Sequence, residues 1–290
     1  MGAPLLIADV PWLLYRAYFA LPKSIKGSDG RPVNALLGTV NALLAAIEAR
    51  PPRAVAVCFG AEEARYRVEL YPPYHAHRDP MPEELRQQWT QAPALLASFG
   101  WAVADAHELE ADDAMGSLAR LESSGGGHCL LLTADRDLYQ AVEENVSVLD
   151  MGKGGAFSVL GTAQVQERYG IAPEQVPDFI ALRGDPSDGI PGAPGIGAKT
   201  AAELLREFGT LEALLEKADS ADAHSLRPRV AATLRENDEL LRRFKQIATL
   251  VEIDVKRPPD APTDFAAGAA AARETGMRRL AERLEQLAQS

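Results

Sequence analysis

Cysteine is scarce in this chain, and so are long apolar runs and positive charge. Two cysteines among 290 residues, Cys58 and Cys129, both lie in apolar stretches. They read as buried thiols, and they make neither a disulfide framework nor a zinc site. No apolar run reaches the ~18 residues that a membrane-spanning helix needs. The opening MGAPLLIADV lacks the basic flank and long apolar stretch of a secretory signal and the hydroxyl of a myristoylation signal. The expectation is a cytoplasmic globular protein, with no membrane partner and nothing that asks for an obligate oligomer. Lys and Arg number 30 against 41 Asp and Glu, a net charge of −11. Taken alone, that balance argues against a nucleic-acid partner. The deficit is uneven, however. Residues 1–80 carry nine Lys and Arg against seven Asp and Glu, and residues 81–290 carry 21 against 34. A site that binds divalent cations must collect acid, and the cations then offset it.

Short apolar runs alternate with helical patterns through the first half. Strands are expected at Leu5–Ala8, Ala54–Phe59, Trp101–Ala104, Cys129–Thr133 and Val146–Leu149. Helices are expected at Asn34–Arg50, Glu83–Phe99 and Glu110–Leu121. Strands spaced by helices imply an α/β, Rossmann-like fold with a mostly parallel sheet. From about Pro173 the pattern is helical: Pro177–Arg183, Lys199–Phe208, Leu211–Lys217, a long stretch Val230–Leu250, and one last helix Phe265–Ser290. These shifts divide the chain into an α/β domain over 1–170, an all-α domain over 171–260 and a C-terminal helical tail over 261–290.

In open parallel sheets, ligands bind beyond the carboxyl ends of the strands. Asp9 directly follows the first strand. Asp135 and Asp137 follow the fourth, in LLLTADRDL, where alternate spacing aims both carboxylates the same way if the chain stays extended. Glu110, Asp112 and Asp113 open a helix in ELEADDAMGSLA, and Asp185 and Asp188 lie three apart in GDPSDG. Each group also has an ordinary explanation. Acids at a helix start complement its dipole, and aspartates in loops form turns. Their combination points further, because so much like charge in one place is unfavourable unless cations neutralise it. All-oxygen ligands suit Mg²⁺ or Mn²⁺ rather than zinc, and such ions serve phosphoryl chemistry.

The string GIPGAPGIGAKTAAELL is the most specific feature. Gly192, Gly195 and Gly197 punctuate a tight turn, and Lys199 and Thr200 begin a helix. Backbone N–H groups freed in this way approach a phosphate closely, and a helix N-terminus favours an anion. The order of residues fits neither a P-loop nor a dinucleotide fingerprint. It fits a helix–hairpin–helix that grips one DNA backbone without reading sequence.

At this point the strings LLIAD, LLYRAYFALP, DGRPVNAL, YHAHRDPMPEEL, LEADDAMGSLA, TADRDLYQAV and ALRGDPSDGIPGAPGIGAKTAAELL resemble the 5′-nuclease (flap endonuclease) family. The likeness is to stand-alone bacterial homologues of the 5′-3′ exonuclease domain of DNA polymerase I. It implies a PIN-like nuclease domain with a helical arch, followed by a helix–hairpin–helix domain. It implies two divalent-metal sites, with Asp9, Glu110, Asp112 and Asp113 on one side and Asp135, Asp137, Asp185 and Asp188 on the other. It further implies a K⁺ ion held by hairpin carbonyls near Gly195–Gly197, and Arg78 as an arch contact to the scissile phosphate. The implied substrates are 5′ flaps, branched or single-stranded DNA ends and RNA–DNA hybrids, cut by a monomer in replication and repair.

Three positions depart from the family pattern. The second strand ends Phe59-Gly60 where the family has Phe-Asp. The arch reads Tyr74-His75-Ala76-His77-Arg78 where the family has Lys at the second place. The first motif continues Val10-Pro11-Trp12 where the family has Gly after the Asp. Glu62 or Glu63 is the candidate replacement carboxylate, and His75 the replacement cation. Tyr66, Tyr71, Tyr74 and Trp89 flank the arch, either stacking on bases or packing it against the body. Arg65, Arg67 and Lys26 are further candidate phosphate contacts. Three readings remain open: an active 5′-3′ exonuclease and flap endonuclease, a weakly active or inactive flap-DNA-binding homologue, and a metal-dependent hydrolase of small phosphates.

Overall fold

The computed structural model describes residues 2–152, 155–220 and 225–289. Its strands are β1 (Leu5–Asp9), β2 (Ala54–Phe59), β3 (Ala102–Asp105), β4 (Cys129–Leu132), β5 (Val146–Met151) and β6 (Phe157–Leu160). They form one sheet in the order β3-β2-β1-β4-β5-β6, parallel throughout except for the antiparallel β5–β6 pair. Every residue of β1, β2 and β4 is buried. This is why those strands read as unbroken apolar runs: helices cover both faces of the sheet.

The helices of the first half are α1 (Val10–Ala20), α2 (Asn34–Ala49), α3 (Arg65–Leu70), α4 (Glu83–Ala97), α5 (Ala111–Ser124) and α6 (Thr162–Tyr169). Those of the second half are α7 (Val176–Arg183), α8 (Ala198–Phe208), α9 (Leu211–Asp219), α10 (Pro228–Glu236), α11 (Asp238–Ala248), α12 (Phe265–Glu274) and α13 (Arg278–Ala288). Strand alternation sends Leu6, Ala8, Val55, Val57 and Leu132 to one face, under α1, α2, α4, α12 and α13. It sends Leu5, Ile7, Ala56, Cys58 and Leu131 to the other, under α5. From there one continuous core runs through α7–α11, by way of Phe179, Leu205, Leu214 and Phe244. Both cysteines are buried and free.

Several expectations need correction. The stretch Val230–Leu250 is two helices, α10 and α11, broken at Asn237. The last helix is also two, because Gly276, at φ 86°, turns the chain between α12 and α13. Its expected final residue, Ser290, lies outside the described residues. Strand β6 and helices α1, α3 and α6 were not foreseen. The segment expected as the arch is the short α3 followed by turns as far as Arg78. Among the described residues, no helix is long and apolar enough to cross a membrane.

The chain after α11 returns to the first half and is fastened along it. The Val251 N–H donates to Asp113 Oδ1 at 2.8 Å, and the Ile253 N–H to Ser117 Oγ at 2.9 Å. Glu122, whose side chain is 1% exposed, takes Arg53 through Nε at 3.0 Å and Nη2 at 2.5 Å, and Arg257 through Nε at 2.8 Å. Removing one member of a buried ionic cluster strands the others without partners. Glu122→Ala is therefore expected to lower unfolding free energy by roughly 3 kcal/mol. A urea midpoint equal to that of the wild type would show that the fastening carries no weight.

Candidate active site

The parallel sheet places its acids as the topology requires. Asp9 ends β1 and caps α1, accepting the Trp12 N–H at 3.0 Å. Pro11 sits in the first turn of α1, where its missing N–H costs nothing. Glu110 is the N-cap of α5, and Asp112 lies in its first turn. Asp135 and Asp137 follow β4. Contrary to expectation, the chain there is not extended: the Asp137 N–H donates to Asp135 Oδ1 at 2.8 Å, and Asp137 opens a 3-10 turn. Asp188 arrives from the loop after α7. Asp9, Glu110, Asp112, Asp135, Asp137 and Asp188 all line one cleft of about 770 Å³.

Crowding raises their proton affinity. Burial pushes Asp9 up to about 6. Burial and then the Asp188 charge push Asp135 up to about 7. Asp112 and Asp137 are held well above the usual carboxylate range, first by burial and then by the charge of Asp135. Among the described residues, no three acidic, histidine or cysteine side chains are drawn into a closed metal cage. The acids face an open cleft, and their donor set is carboxylate oxygen, which suits hard divalent cations. By its donor chemistry the cleft fits such ions.

Two of the eight acids stand elsewhere. Asp113, expected among the metal ligands, is fully buried behind the cleft. It takes Arg67 Nη2 at 2.9 Å, the Val251 N–H and the Glu110 N–H. Asp185 takes the Ser187 N–H at 2.8 Å together with the Ser187 hydroxyl, and pairs with Arg183 at 3.4 Å. It shapes the GDPSDG turn just behind the lining of the cleft, near enough for its charge to act on Asp135 and Asp137. Arg67, expected at a phosphate, is 3% exposed and spends its charge inward. It pairs with Glu110 at 3.0 Å and Asp113, and it donates to the Ile247 carbonyl at 3.0 Å. Arg65 is exposed and pairs with Glu69.

The residues expected to touch DNA from the arch rest on Asp188. His75 Nε2 lies 3.1 Å from Asp188 Oδ1, and Arg78 Nη2 lies 2.9 Å from the same atom. The His75 N–H donates to the Asp188 carbonyl at 3.0 Å. His75 is buried, sits at φ 55° and stacks on Tyr74 at 3.8 Å. Tyr74 in turn donates its hydroxyl to Glu110 at 3.1 Å. Tyr71 packs on Phe244 at 5.0 Å. Tyr71 and Tyr74 thus hold the segment against the body, whereas Trp89 lines the cleft.

Some residues lining the cleft, Trp12, Tyr15, Phe19 and Arg86, were missed in the sequence. Trp12, Tyr15 and Phe19, spaced three and four apart on α1, share it with Trp89, Arg78 and Arg86. Helical spacing of these aromatics was the available signal. Phe19 is 71% exposed. Tyr15 donates its hydroxyl to Glu62 Oε1 at 2.7 Å, which holds that carboxylate at the cleft rim.

The three hairpin glycines do different work. Gly192, at φ 70°, lies so close to Arg183 and Gly184 that a Cβ would meet the Gly184 nitrogen at 2.3 Å. Gly195 and Gly197 are both exposed; Gly197 has open space where a Cβ would stand, whereas Gly195 is at φ 80°, a conformation that disfavours a side chain, with Arg229 Nη2 4.0 Å from an added Cβ. Gly197 caps α8, and Lys199 is exposed in its first turn.

An acidic cleft at the edge of a parallel sheet, joined to a glycine-punctuated helical hairpin, defines a class of α/β nucleases. Residues 4–170 match the model of the 5′-3′ exonuclease N-terminal resolvase-like domain, and residues 171–266 match that of the 5′-3′ exonuclease C-terminal SAM fold. The chain belongs to the 5′-3′ exonuclease family. It is 36% identical over 287 residues to the 5′-3′ exonuclease of Mycobacterium tuberculosis, covering 90% of this chain and 88% of that one. It is 38% identical over 280 residues to the thermostable DNA polymerase I of Thermus thermophilus, where 97% of this chain spans only 32% of the relative. Among solved structures, the T5 flap endonuclease in a pseudo-enzyme–product complex with DNA and metal ions superposes with a TM-score of 0.69 at 20% identity, over 99% of this chain and all of that one. The catalytic core of Rad2 with a DNA substrate gives 0.64 at 14% identity, over 99% and 92%.

Two outcomes are expected. The folded protein binds protons on Asp135 up to about pH 7, whereas the unfolded carboxylate titrates near 3.8. Stability is therefore lost as pH rises between those values and stays low above them. In the presence of a chelator, Asp135→Asn should melt about 2–4 °C above wild type at pH 8, with the gain vanishing by pH 4. A variant that melts lower at pH 8 would contradict the crowding. At Gly60, a Cβ would meet the Leu109 carbonyl at 2.4 Å and the Ala111 nitrogen at 2.6 Å. Gly60→Asp should thus cost about 1–3 kcal/mol of stability, read by denaturant unfolding, and should restore no carboxylate to the cleft.

Proposed function

We propose that this protein is a divalent-metal-dependent 5′-3′ exonuclease and 5′-flap endonuclease, hydrolysing phosphodiester bonds near free 5′ ends of branched or single-stranded DNA. The observation that carries the reading is the gathering of Asp9, Glu110, Asp112, Asp135, Asp137 and Asp188 around one cleft. Asp9, Glu110 and Asp112 would hold one ion, and Asp135, Asp137 and Asp188 the other, with Mg²⁺ or Mn²⁺ as the expected metals. When bound, such ions supply an activated water and neutralise charge on the leaving oxygen. Asp113 and Asp185 serve from behind, by fixing Glu110 and the loop that carries Asp188.

The remaining parts are the chain's own. Arg78 reaches the cleft and, once free of Asp188, is placed to take the scissile phosphate, with His75 beside it. Trp12, Tyr15, Phe19 and Trp89 offer ring faces for unpaired bases. The exposed N-terminus of α8, with Gly195, Gly197, Lys199 and Thr200, holds phosphates of one strand by backbone N–H groups. The hairpin carbonyls near Gly195–Gly197 are the proposed K⁺ seat. The products are a 3′-hydroxyl and a 5′-phosphate. We read the working unit as a cytoplasmic monomer, with the α/β unit over 1–170, the hairpin unit over 171–260 and the terminal helices over 261–290, and RNA–DNA hybrids among its substrates.

One observation favours a second reading, a flap-binding homologue with weakened chemistry: Gly60 leaves no room for the carboxylate that the family pattern has there. Cleavage of a 5′-labelled flap duplex in Mg²⁺, Mn²⁺ or EDTA separates the two. Metal-dependent cutting near the junction is expected, with Asp135→Asn slower by more than roughly 100-fold. Tight flap binding without cutting in either metal would select the binding homologue.

A further inference from the structure

The acids on β1 and after β4 approach the cleft from different points. Asp9 is the last residue of its strand, whereas Asp135 stands beyond the end of its own. Between them lies Thr133, a fully buried residue. Its hydroxyl donates to Asp9 Oδ2 at 2.8 Å, and its oxygen accepts the Asp135 N–H at 3.0 Å. The Asp9 carboxylate also takes the Trp12 N–H through Oδ1, and the Asp135 carboxylate takes the Asp137 N–H. The direction of this chain is fixed. The Asp135 amide can only donate, so the threonine oxygen accepts from it, and an ionised Asp9 can only accept, so the hydroxyl proton points to Asp9.

We infer that Thr133 is a positioning residue that sets the separation and aim of Asp9 and Asp135, the leading carboxylates of the two proposed metal positions. The inference rests on the metal-dependent reading above. The two acids leave neighbouring strands and repel each other, and a neutral hydroxyl bridging from one to the backbone of the other resists their spreading. A β-branched side chain suits this task because its χ1 is restricted, so the hydroxyl points one way. Valine would fill the same space but leave Asp9 Oδ2, which is buried, and the Asp135 N–H, which is half-buried, without their bridge. Serine would keep the bridge and lose only a methyl group. Hairpin and arch contacts to DNA lie elsewhere, so KM for a flap should not depend on this hydroxyl.

The test is Mn²⁺ binding to the full chain, followed by the electron paramagnetic resonance signal of free Mn²⁺, with thermal melting and flap cleavage measured alongside. Thr133→Val and Thr133→Ala should bind Mn²⁺ about 10–100-fold more weakly than wild type. Their kcat should fall while KM for the flap is unchanged, and Thr133→Ser should bind as wild type does. Wild-type Mn²⁺ affinity in a folded Thr133→Val would overturn the inference. So would a Thr133→Ser as weak as Thr133→Val, which would assign the effect to the methyl group. If neither Thr133→Val nor Thr133→Ala folds while Thr133→Ser does, the hydroxyl belongs to folding and the positioning role is lost. A wild type that binds no Mn²⁺ would instead overturn the metal-dependent reading itself.

Discussion

Repulsion among carboxylates in one cleft is the constraint around which the rest of this structure is arranged. Burial holds Asp9, Asp112, Asp135 and Asp137 above the ordinary carboxylate range, and for Asp112, Asp135 and Asp137 neighbouring carboxylates raise it further. A fold gains nothing from such a cluster, so the surrounding structure must hold it in place. Part of the compensation is internal. Arg67 lies beneath the cleft, 3% exposed, and pairs with both Glu110 and Asp113. A buried guanidinium with two carboxylates and a backbone carbonyl as partners is satisfied on several sides, which a lysine cannot match.

The same arginine ties three parts of the chain together. It belongs to α3, it grips the start of α5, and it donates to the end of α11 at Ile247. Asp113 extends the tie through the Val251 N–H, and the following residues run back along the first half to the Glu122 cluster. The helical half is thus fastened at the cleft through Arg67 and Asp113, beside it through Gln140, which bonds the Ala248 carbonyl and the Leu250 N–H, and further along by the returning chain. This matters for Asp188, which among the described residues is the one cleft acid supplied by the second half. Its place relative to Asp135 depends on these fastenings rather than on the sheet. Asp188 also receives His75 and Arg78, so a single stretch of chain, from Ala64 to Arg78, binds acids on both sides of the cleft.

Much of this was legible from residue order. Apolar runs marked five of the six strands, and acids at strand ends marked the cleft, because a parallel sheet delivers strand ends to one edge. What stayed hidden depends on direction or on distant partners. Asp112 and Asp113 are neighbours, but successive helical side chains point about 100° apart, so one faces the cleft and the other faces Arg67. No local pattern tells which. Strand β6 lies at the edge and is half exposed, so it has no apolar run to betray it. Arg67 looked like any basic residue near an arch, and only its tertiary partners reveal an internal counter-charge. The breaks at Asn237 and Gly276 fell within patterns whose helical period resumes directly afterwards.

Gly60 shows how a departure from a family pattern can be structural rather than a mere loss. Without a Cβ at this position, the backbone from Leu109 to Ala111 closes onto the end of β2, and the Ala61 N–H bonds to the Leu109 carbonyl at 2.7 Å. Glu110 is the middle residue of that contact. It is held there by the Ala64 N–H at 2.8 Å, by Tyr74 and by Arg67. The glycine therefore trades a carboxylate on β2 for a closer seat for the carboxylate at the start of α5. Glu62, two residues further on, lines the same cleft and takes the Tyr15 hydroxyl. Negative charge is redistributed around the cleft, and the chemistry then turns on whether a longer, more exposed side chain at the rim serves where a short one on the strand would have stood. Its tether to Tyr15 argues for a defined position, since a hydrogen bond to a residue of α1 restricts a side chain that would otherwise sample solvent.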